Sequence, residues 1–295
     1  MTSKDMFKDQ LRIIEIETFS YCNRKCWFCP NSSIDRMSTN HIMPESMYLN
    51  IINQLSAINF AGVVTYSRYN EPLSQKELIL KRIAQARELL PNAKMKTNTN
   101  GDYVTFDYIV ELKQAGLDEL YIQQYLANNE LYNHEKMRLR MQSFAKKLGV
   151  SYSVISDIED QRIEFNLNIP GITVHIRAKN MSVEGCSRTE KVAEFNKEYI
   201  RTAPCMQPSR NMYIDYDGSI VVCCNARSDV PAHKSAIMGH VNEGQLWDIY
   251  QNEKYKPWRE HLKSEGPKQG ICAGCKSDIS FIEFQPLKAK LKTSE

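Results

Sequence analysis

The chain has 295 residues, 42% of them hydrophobic and 25% charged, which bounds it to one large α/β domain or a domain of roughly 200 residues with a smaller appendage. A net charge of +3 is too small to argue for nucleic acid or a membrane surface as partner. No apolar run approaches the ~20 residues of a membrane helix, and the polar start from Met1 to Gln10 has no signal-peptide core, so a cytoplasmic location is expected.

Leu11 to Phe19 reads as a strand and runs into Cys22-Asn23-Arg24-Lys25-Cys26-Trp27-Phe28-Cys29-Pro30. A polar loop follows, and Pro44-Glu45-Ser46 opens a helix to about Ile58 with Met47, Ile51, Ile52 and Leu55 on one face. Gly62 to Arg68 is β-rich and leads to Tyr69-Asn70-Glu71-Pro72-Leu73. Gln75 to Leu90 is a helix stopped by Pro91. Ala93 to Asn100 is a third strand, Phe106 to Ala115 a helix with Gly116 as its C-cap, and Glu119 to Tyr125 a fourth strand. Asn133 to Leu148 is a basic helix, read as a solvated face. Tyr152 to Ile155 and Ile163 to Leu167 are strands around a fifth position, and Ile172 to Arg177 is a sixth.

Strands alternating with helices imply a parallel sheet with right-handed crossovers. Five or six such units predict a partial barrel, residues 11–178, with its chemistry at the C-terminal ends of the strands. The polar marks stand at those ends: the cysteines after the first strand, Glu71 after the second, Asn98 and Asn100 at the third, Gln123 and Gln124 at the fourth, Arg177 at the sixth. From about residue 179 the alternation stops. Met212 to Cys223 reads as a β-hairpin around Asp217-Gly218. Leu246 to Leu262 reads as one helix, Cys272-Ala273-Gly274-Cys275 follows, and 287–295 is a frayed Lys-rich tail. The second domain is therefore placed at 179–286.

The nine cysteines fall into a triplet at 22, 26 and 29 and a group at 186, 205, 223, 224, 272 and 275. In a reducing compartment such clustering favours two metal sites over disulfides. Structural zinc takes four ligands, and neither a His nor a fourth Cys lies near the triplet. Three thiolates can hold a [4Fe–4S] cluster and leave one iron open to a substrate or cofactor.

With C-x3-C-x2-C on the loop after the first strand, and the aromatic Phe28 before the last cysteine, the chain resembles the radical S-adenosylmethionine (radical SAM) superfamily. The resemblance implies a partial (β/α)6 barrel in which Cys22, Cys26 and Cys29 hold a [4Fe–4S] cluster. Its open iron would chelate the methionine moiety of SAM, and reductive cleavage would give a 5′-deoxyadenosyl radical that abstracts a substrate hydrogen. An external electron donor such as flavodoxin or ferredoxin is implied with it. Glu71-Pro72 resembles the end of the family's Gly-Gly-Glu-Pro segment, which holds the SAM amino group, although Tyr69-Asn70 replaces the glycines. Glu71 otherwise reads as an acid at a helix N-terminus. Thr99-Asn100-Gly101 resembles the family's third strand end, where the alternative is turn chemistry. Phe28, Glu71, Asn98, Asn100, Gln123 and Arg177 are the SAM- or substrate-binding candidates.

Cys205 and Cys223 bracket the hairpin, and Cys272 and Cys275 add a C-x2-C. Four thiolates suffice for a [4Fe–4S] cluster or for zinc, and spacing alone does not separate the two. The arrangement resembles the Twitch or shortened SPASM auxiliary domain of radical SAM enzymes, which implies a second [4Fe–4S] cluster. Cys223 and Cys224 are adjacent, so on a strand their side chains oppose, and Cys223 completes the hairpin spacing. Cys224 and Cys186 are then small buried hydrophobes or hydrogen-atom donors to a substrate radical.

A second cluster without an open iron suits electron transfer. The expected reaction is dehydrogenation of an alcohol carbon in a sugar- or aminocyclitol-like intermediate of natural-product biosynthesis. Epimerisation with a cysteine hydrogen donor is the alternative, as is modification or cross-linking of a ribosomal peptide, for which about eleven residues before the first strand leave no recognition domain. A non-enzymatic iron–sulfur or zinc module would leave the polar strand ends unexplained.

Overall fold

A computed structural model describes residues 1–127, 130–186, 188, 192 and 199–276; the tail at 287–295 lies outside them. Among the described residues the strands form one ten-stranded sheet. The chain begins with α1 (Ser3–Gln10), where Thr2 and Asp5 form a capping box. Helix α1 was not foreseen in the sequence because its mean hydropathy is low, and only Phe7 is buried.

The barrel wall alternates as expected: β1 (Ile13–Ile16), α2 (Glu45–Ser56), β2 (Val63–Thr65), α3 (Lys76–Leu89), β3 (Lys94–Thr99), α4 (Phe106–Gln114), β4 (Glu119–Gln123) and α5 (His134–Lys147). Strands β1 to β4 pair in parallel in chain order. Helix α5 turns His134, Met137, Met141 and Ala145 inward and leaves its basic side chains outside.

The fifth and sixth positions differ from a βα repeat. Strands β5 (Tyr152–Ile158), β6 (Arg162–Leu167) and β7 (Thr173–Lys179) form an antiparallel meander, and β7 then pairs in parallel with β4. The β5–β6 turn is too short for a crossover helix and places Asp160 in left-handed backbone. The short helix α6 (Met181–Glu184) follows.

The C-terminal part continues the same sheet. After α7 (Gln207–Arg210), β8 (Asn211–Ile214) pairs in parallel with β1 on the side away from β2. Strand β9 (Ser219–Val221) folds back on β8, with Gly218 at φ +89 in the tight turn, and β10 (Ile237–His240) closes the edge. The single helix expected over 246–262 is two, α8 (Leu246–Tyr250) and α9 (Tyr255–Lys263). Asn252 breaks it: its side-chain oxygen accepts from the Lys254 and Tyr255 amides, and its nitrogen donates to the Met238 carbonyl at 2.8 Å.

Alternate strand positions divide the interior. Ile14, Ile16, Val64, Met95, Leu120, Ile122, Val174 and Ile176 face the helices and form the apolar core. The intervening positions, among them Glu15, Lys96, Tyr121 and His175, are only partly buried and line a polar lumen. Tyr121 stacks on His175 at 4.7 Å, with Lys96 Nζ 4.2 Å and the Arg177 guanidinium 4.5 Å from its ring.

Candidate active site

The loop after β1 is held by one buried ion pair. Arg36, 3% exposed, donates to Glu17 Oε1 at 3.1 Å and to the Ser20 carbonyl at 2.9 Å, while its backbone carbonyl accepts from the Cys22 amide at 3.1 Å. Asp229, far along the chain, accepts from the same guanidinium at 3.0 Å. Arg24 and Asn23 both donate to Asp102 beyond β3, and Asn100 donates to Asn23 at 2.7 Å. The loop tightens at Cys29, whose amide donates to the Cys26 carbonyl, before Pro30 starts a single 3-10 turn.

Cys22, Cys26 and Cys29 thereby line one cavity of about 350 Å3 together with Glu71, Asn98, Asn100, Gln123 and Arg177. A second hollow of about 600 Å3 on the outer flank shares Cys26, Phe28 and Tyr125 with it. The ring of Phe28 leans on Tyr125 at 5.0 Å and forms part of the partition. Among the described residues no three Cys, His, Asp or Glu side chains converge on a single ion; the triplet rings a cavity instead. Burial pushes Cys22 up to about 12 and Cys26 to about 11, and raises Cys29 as well. Free thiols there stay protonated, so ionisation calls for a positively charged metal centre at the site, which an iron–sulfur cluster provides. The donor set and the cavity fit such a cluster with a ligand of SAM size beside it.

Glu71 is 2% exposed and already satisfied. It accepts from the Thr99 hydroxyl at 2.5 Å, the Asn100 amide at 2.7 Å and the Leu73 amide at 3.1 Å. Burial nevertheless raises its carboxyl to about 7. It caps the 3-10 turn Pro72–Ser74 and pins the end of β3 while lining the cavity. Gly101, at φ +84, lets that strand end turn away; a Cβ there would meet the Gln124 side chain at 2.8 Å. A belt of hydrogen bonds crosses the mouth. Asn98 donates to Ser67 Oγ at 2.7 Å and accepts from Arg177 Nη2 at 3.1 Å. The Gln123 amide faces the same guanidinium, and with its oxygen and nitrogen exchanged the oxygen accepts from Nη2 at 2.8 Å.

Three side chains that sequence reasoning left without a role connect this mouth to the C-terminal hairpin. Arg68 donates to Asp215 Oδ1 at 2.7 Å and to the Ala226 carbonyl at 2.8 Å. Tyr69, where a glycine was expected, donates its hydroxyl to the Cys224 carbonyl at 2.9 Å. Arg227, fully buried, lies 4.5 Å over the Tyr69 ring and donates to Asn31 beside the triplet. Their partners lie some 150 to 200 positions away in the chain, so no local pattern announces them.

The remaining cysteines divide in two. Cys223 interacts electrostatically with Cys272 and Cys275, and Cys272 with Cys275 and Cys205. Burial raises Cys223 and pushes Cys272 up to about 12. Four thiols gathered in this way supply the donor set of a second iron–sulfur cluster. Cys224, raised to about 12 by burial, interacts instead with Glu15, Arg188, Cys186 and Arg68. Cys186 and Cys224 both approach Asn225 Oδ1, at 3.8 and 3.9 Å, while Asn225 Nδ2 donates to Cys275 Sγ at 3.9 Å. No helix among the described residues is long and apolar enough to cross a membrane.

The Radical SAM superfamily model matches residues 16–151, and the SPASM iron–sulfur cluster-binding domain model matches 205–276. A curated relative from Niallia circulans, an S-adenosyl-L-methionine-dependent 2-deoxy-scyllo-inosamine dehydrogenase, is 28% identical over 265 residues, 89% of this chain and 92% of that protein. The crystal structure of BtrN in complex with AdoMet and 2-DOIA has a TM-score of 0.65 at 23% identity, covering 90% of this chain and 93% of that one. BtrN in an open conformation has a TM-score of 0.57 at 22% identity, with 86% of each chain covered. Both crystal structures share the fold.

Proposed function

The chain belongs to the radical SAM superfamily and carries a SPASM-type iron–sulfur domain, and on that premise we propose that it oxidises an alcohol carbon of an aminocyclitol to a carbonyl. One observation carries the reading: three thiols line the cavity at the barrel mouth, and four more gather where the C-terminal hairpin meets the C-x2-C segment. Cys22, Cys26 and Cys29 would hold the first cluster, and Cys205, Cys223, Cys272 and Cys275 the second. Bound there, these clusters and SAM supply a hydrogen-abstracting radical and an acceptor for one electron.

The chain's own residues do the rest. Ser67, Asn98, Gln123 and Arg177 set donors and acceptors at the mouth that suit the hydroxyls of a polyol. Glu71 and Asn100 fix the β3 end under the cluster loop. Arg68, Tyr69 and Arg227 hold the hairpin at a constant distance from the loop, which fixes the separation of the two thiol sets. The relative that acts on 2-deoxy-scyllo-inosamine supports an aminocyclitol substrate. A small one-electron donor of the flavodoxin or ferredoxin type supplies the reducing electrons.

The test is an anaerobic reaction of the iron-loaded protein with SAM, reductant and 2-deoxy-scyllo-inosamine. A ketone two mass units lighter than the substrate, formed with 5′-deoxyadenosine, is expected. In D2O, a product at the oxidation level of the substrate and one mass unit heavier would instead establish epimerisation. That second reading is favoured by Cys186 and Cys224 sharing Asn225 Oδ1, which gathers two spare thiols beside the lumen. Loss of deuterium incorporation in Cys186→Ala or Cys224→Ala would then identify the hydrogen donor.

A further inference from the structure

Oxidation of a carbinol removes a hydrogen atom from carbon, an electron, and the hydroxyl proton. The dehydrogenase reading, on which this inference rests, provides for the first two and leaves the proton without an acceptor. Among the described residues, Glu15, Glu17, Glu71, Asp215 and Glu184 are carboxylates near the space between the thiol sets, and all but Glu15 accept a hydrogen bond or a close ion pair. Glu17 accepts from Arg36 at 3.1 Å and from the Tyr69 amide at 3.0 Å. Glu71 accepts from Thr99 and Asn100 at 2.5 and 2.7 Å. Asp215 accepts from Arg68 at 2.7 Å and from the Ser228 amide at 2.6 Å. Glu184 pairs with Lys179 at 2.8 Å.

Glu15 is different. Among the described residues no hydrogen bond reaches its carboxylate, whose one ion-pair contact is Arg68 Nη1 at 3.7 Å from Oε2. It stands on β1 at a lumen-facing position, with Thr65 of β2 and Tyr213 of β8 beside it in register. Its side chain keeps 22% exposure. The charged groups around it are Arg68, Lys96 and Arg188 against Asp215, with Cys224 and Tyr213 as the neighbouring thiol and phenol. Burial outweighs those cations and raises the carboxyl to about 7, a strength that lets a carboxylate take a proton near neutral pH.

We propose that Glu15 is the proton acceptor of the oxidation, poised on β1 between Arg68 and Cys224. Glu15 takes the hydroxyl proton on a carboxylate oxygen; SAM and the two clusters, when bound, would supply the radical that takes the hydrogen atom from carbon and the acceptor for the remaining electron. The balance is C–OH to C=O with one hydrogen atom, one proton and one electron accounted for.

Glu15→Gln keeps the size of the side chain and removes its basicity. The probe is 2-deoxy-scyllo-inosamine deuterated at the reacting carbon, given to iron-loaded protein whose iron content and cluster spectra match the parent. The variant is expected to pass deuterium into 5′-deoxyadenosine as the parent does, while ketone formed per 5′-deoxyadenosine falls by about 100-fold. In the parent, ketone formation should decline as pH falls below about 7, and that limb should vanish in the variant. Glu15→Asp should restore part of the ketone yield with the acid limb present. Parental ketone yield in Glu15→Gln overturns the assignment, as does equal loss of label transfer and ketone, which marks a structural role. If the parent itself transfers label but forms no ketone, the dehydrogenase reading falls and the assignment with it.

Discussion

Replacing Arg68 by Met tests whether the barrel and the hairpin are locked together by charge. Arg68 and Asp215 are 0% and 1% exposed at the side chain, and their contact at 2.7 Å is charge-assisted. Met fills most of the space but, among the described residues, leaves the Asp215 carboxylate only the Ser228 amide as donor, at 2.6 Å, and takes the Arg68 donor from the Ala226 carbonyl. Removing one partner of a buried pair costs about 3–5 kcal/mol, most of it the stranded charge. The change should appear locally. The amides of Asp215, Val222 and Glu17 bond across the hairpin and to β8, so native-state hydrogen exchange there reads its opening. A loss of about 3 kcal/mol lowers protection more than 100-fold. Asp215→Asn removes the stranded charge, so the double variant Arg68→Met/Asp215→Asn should lose about 2 kcal/mol less than the sum of the singles. Protection within tenfold of the parent, or strict additivity, would refute the argument.

The Glu71 carboxyl is raised from 4.5 to about 7 by burial, so the folded protein binds the extra proton between those values and its stability falls as pH rises through that window. The upper bound is about 3 kcal/mol. Urea midpoints of the parent relative to Glu71→Gln, at pH 5 and pH 7.5, should show the parent losing ground at the higher pH; a constant difference would contradict the assignment. Tyr69→Phe strips the hydroxyl from the Cys224 carbonyl and should cost about 1 kcal/mol in urea denaturation with the iron content unchanged, whereas no change in midpoint would mean that the 2.9 Å bond contributes nothing.

Much of the barrel was legible because strand and helix periods differ and the turn residues stand between them. The parallel run β1 to β4 and both hairpin strands follow from that pattern alone. The β5–β7 meander was less legible, since short β-rich runs fit either orientation and the decisive turn residue, Asp160, carries no Gly signal. The α8–α9 break was hidden because Asn252 acts through a carbonyl on β10. The triplet was readable from spacing, because a cluster imposes ligand geometry on the chain locally. Glu71 was legible as a carboxylate at the end of the second strand, and it lines the cavity, but its three donors come from β3 and its own turn, which no linear motif shows. Arg36 and Arg68 were unreadable for the same reason: their buried guanidiniums pair with carboxylates distant in the chain, Glu17 and Asp229 for Arg36 and Asp215 for Arg68. Arg227 pairs locally with Asp229, but its contacts with Asn31 and the Tyr69 ring are long-range and equally hidden.

The central claim is a division of labour between two thiol sets across one lumen. Its most direct test is the variant Cys272→Ala/Cys275→Ala, reconstituted anaerobically and given SAM, reductant and 2-deoxy-scyllo-inosamine deuterated at the reacting carbon. The variant should retain about four of about eight irons, still place deuterium in 5′-deoxyadenosine, and form almost no ketone. Ketone at the parental yield from a protein holding only the first cluster would contradict the account.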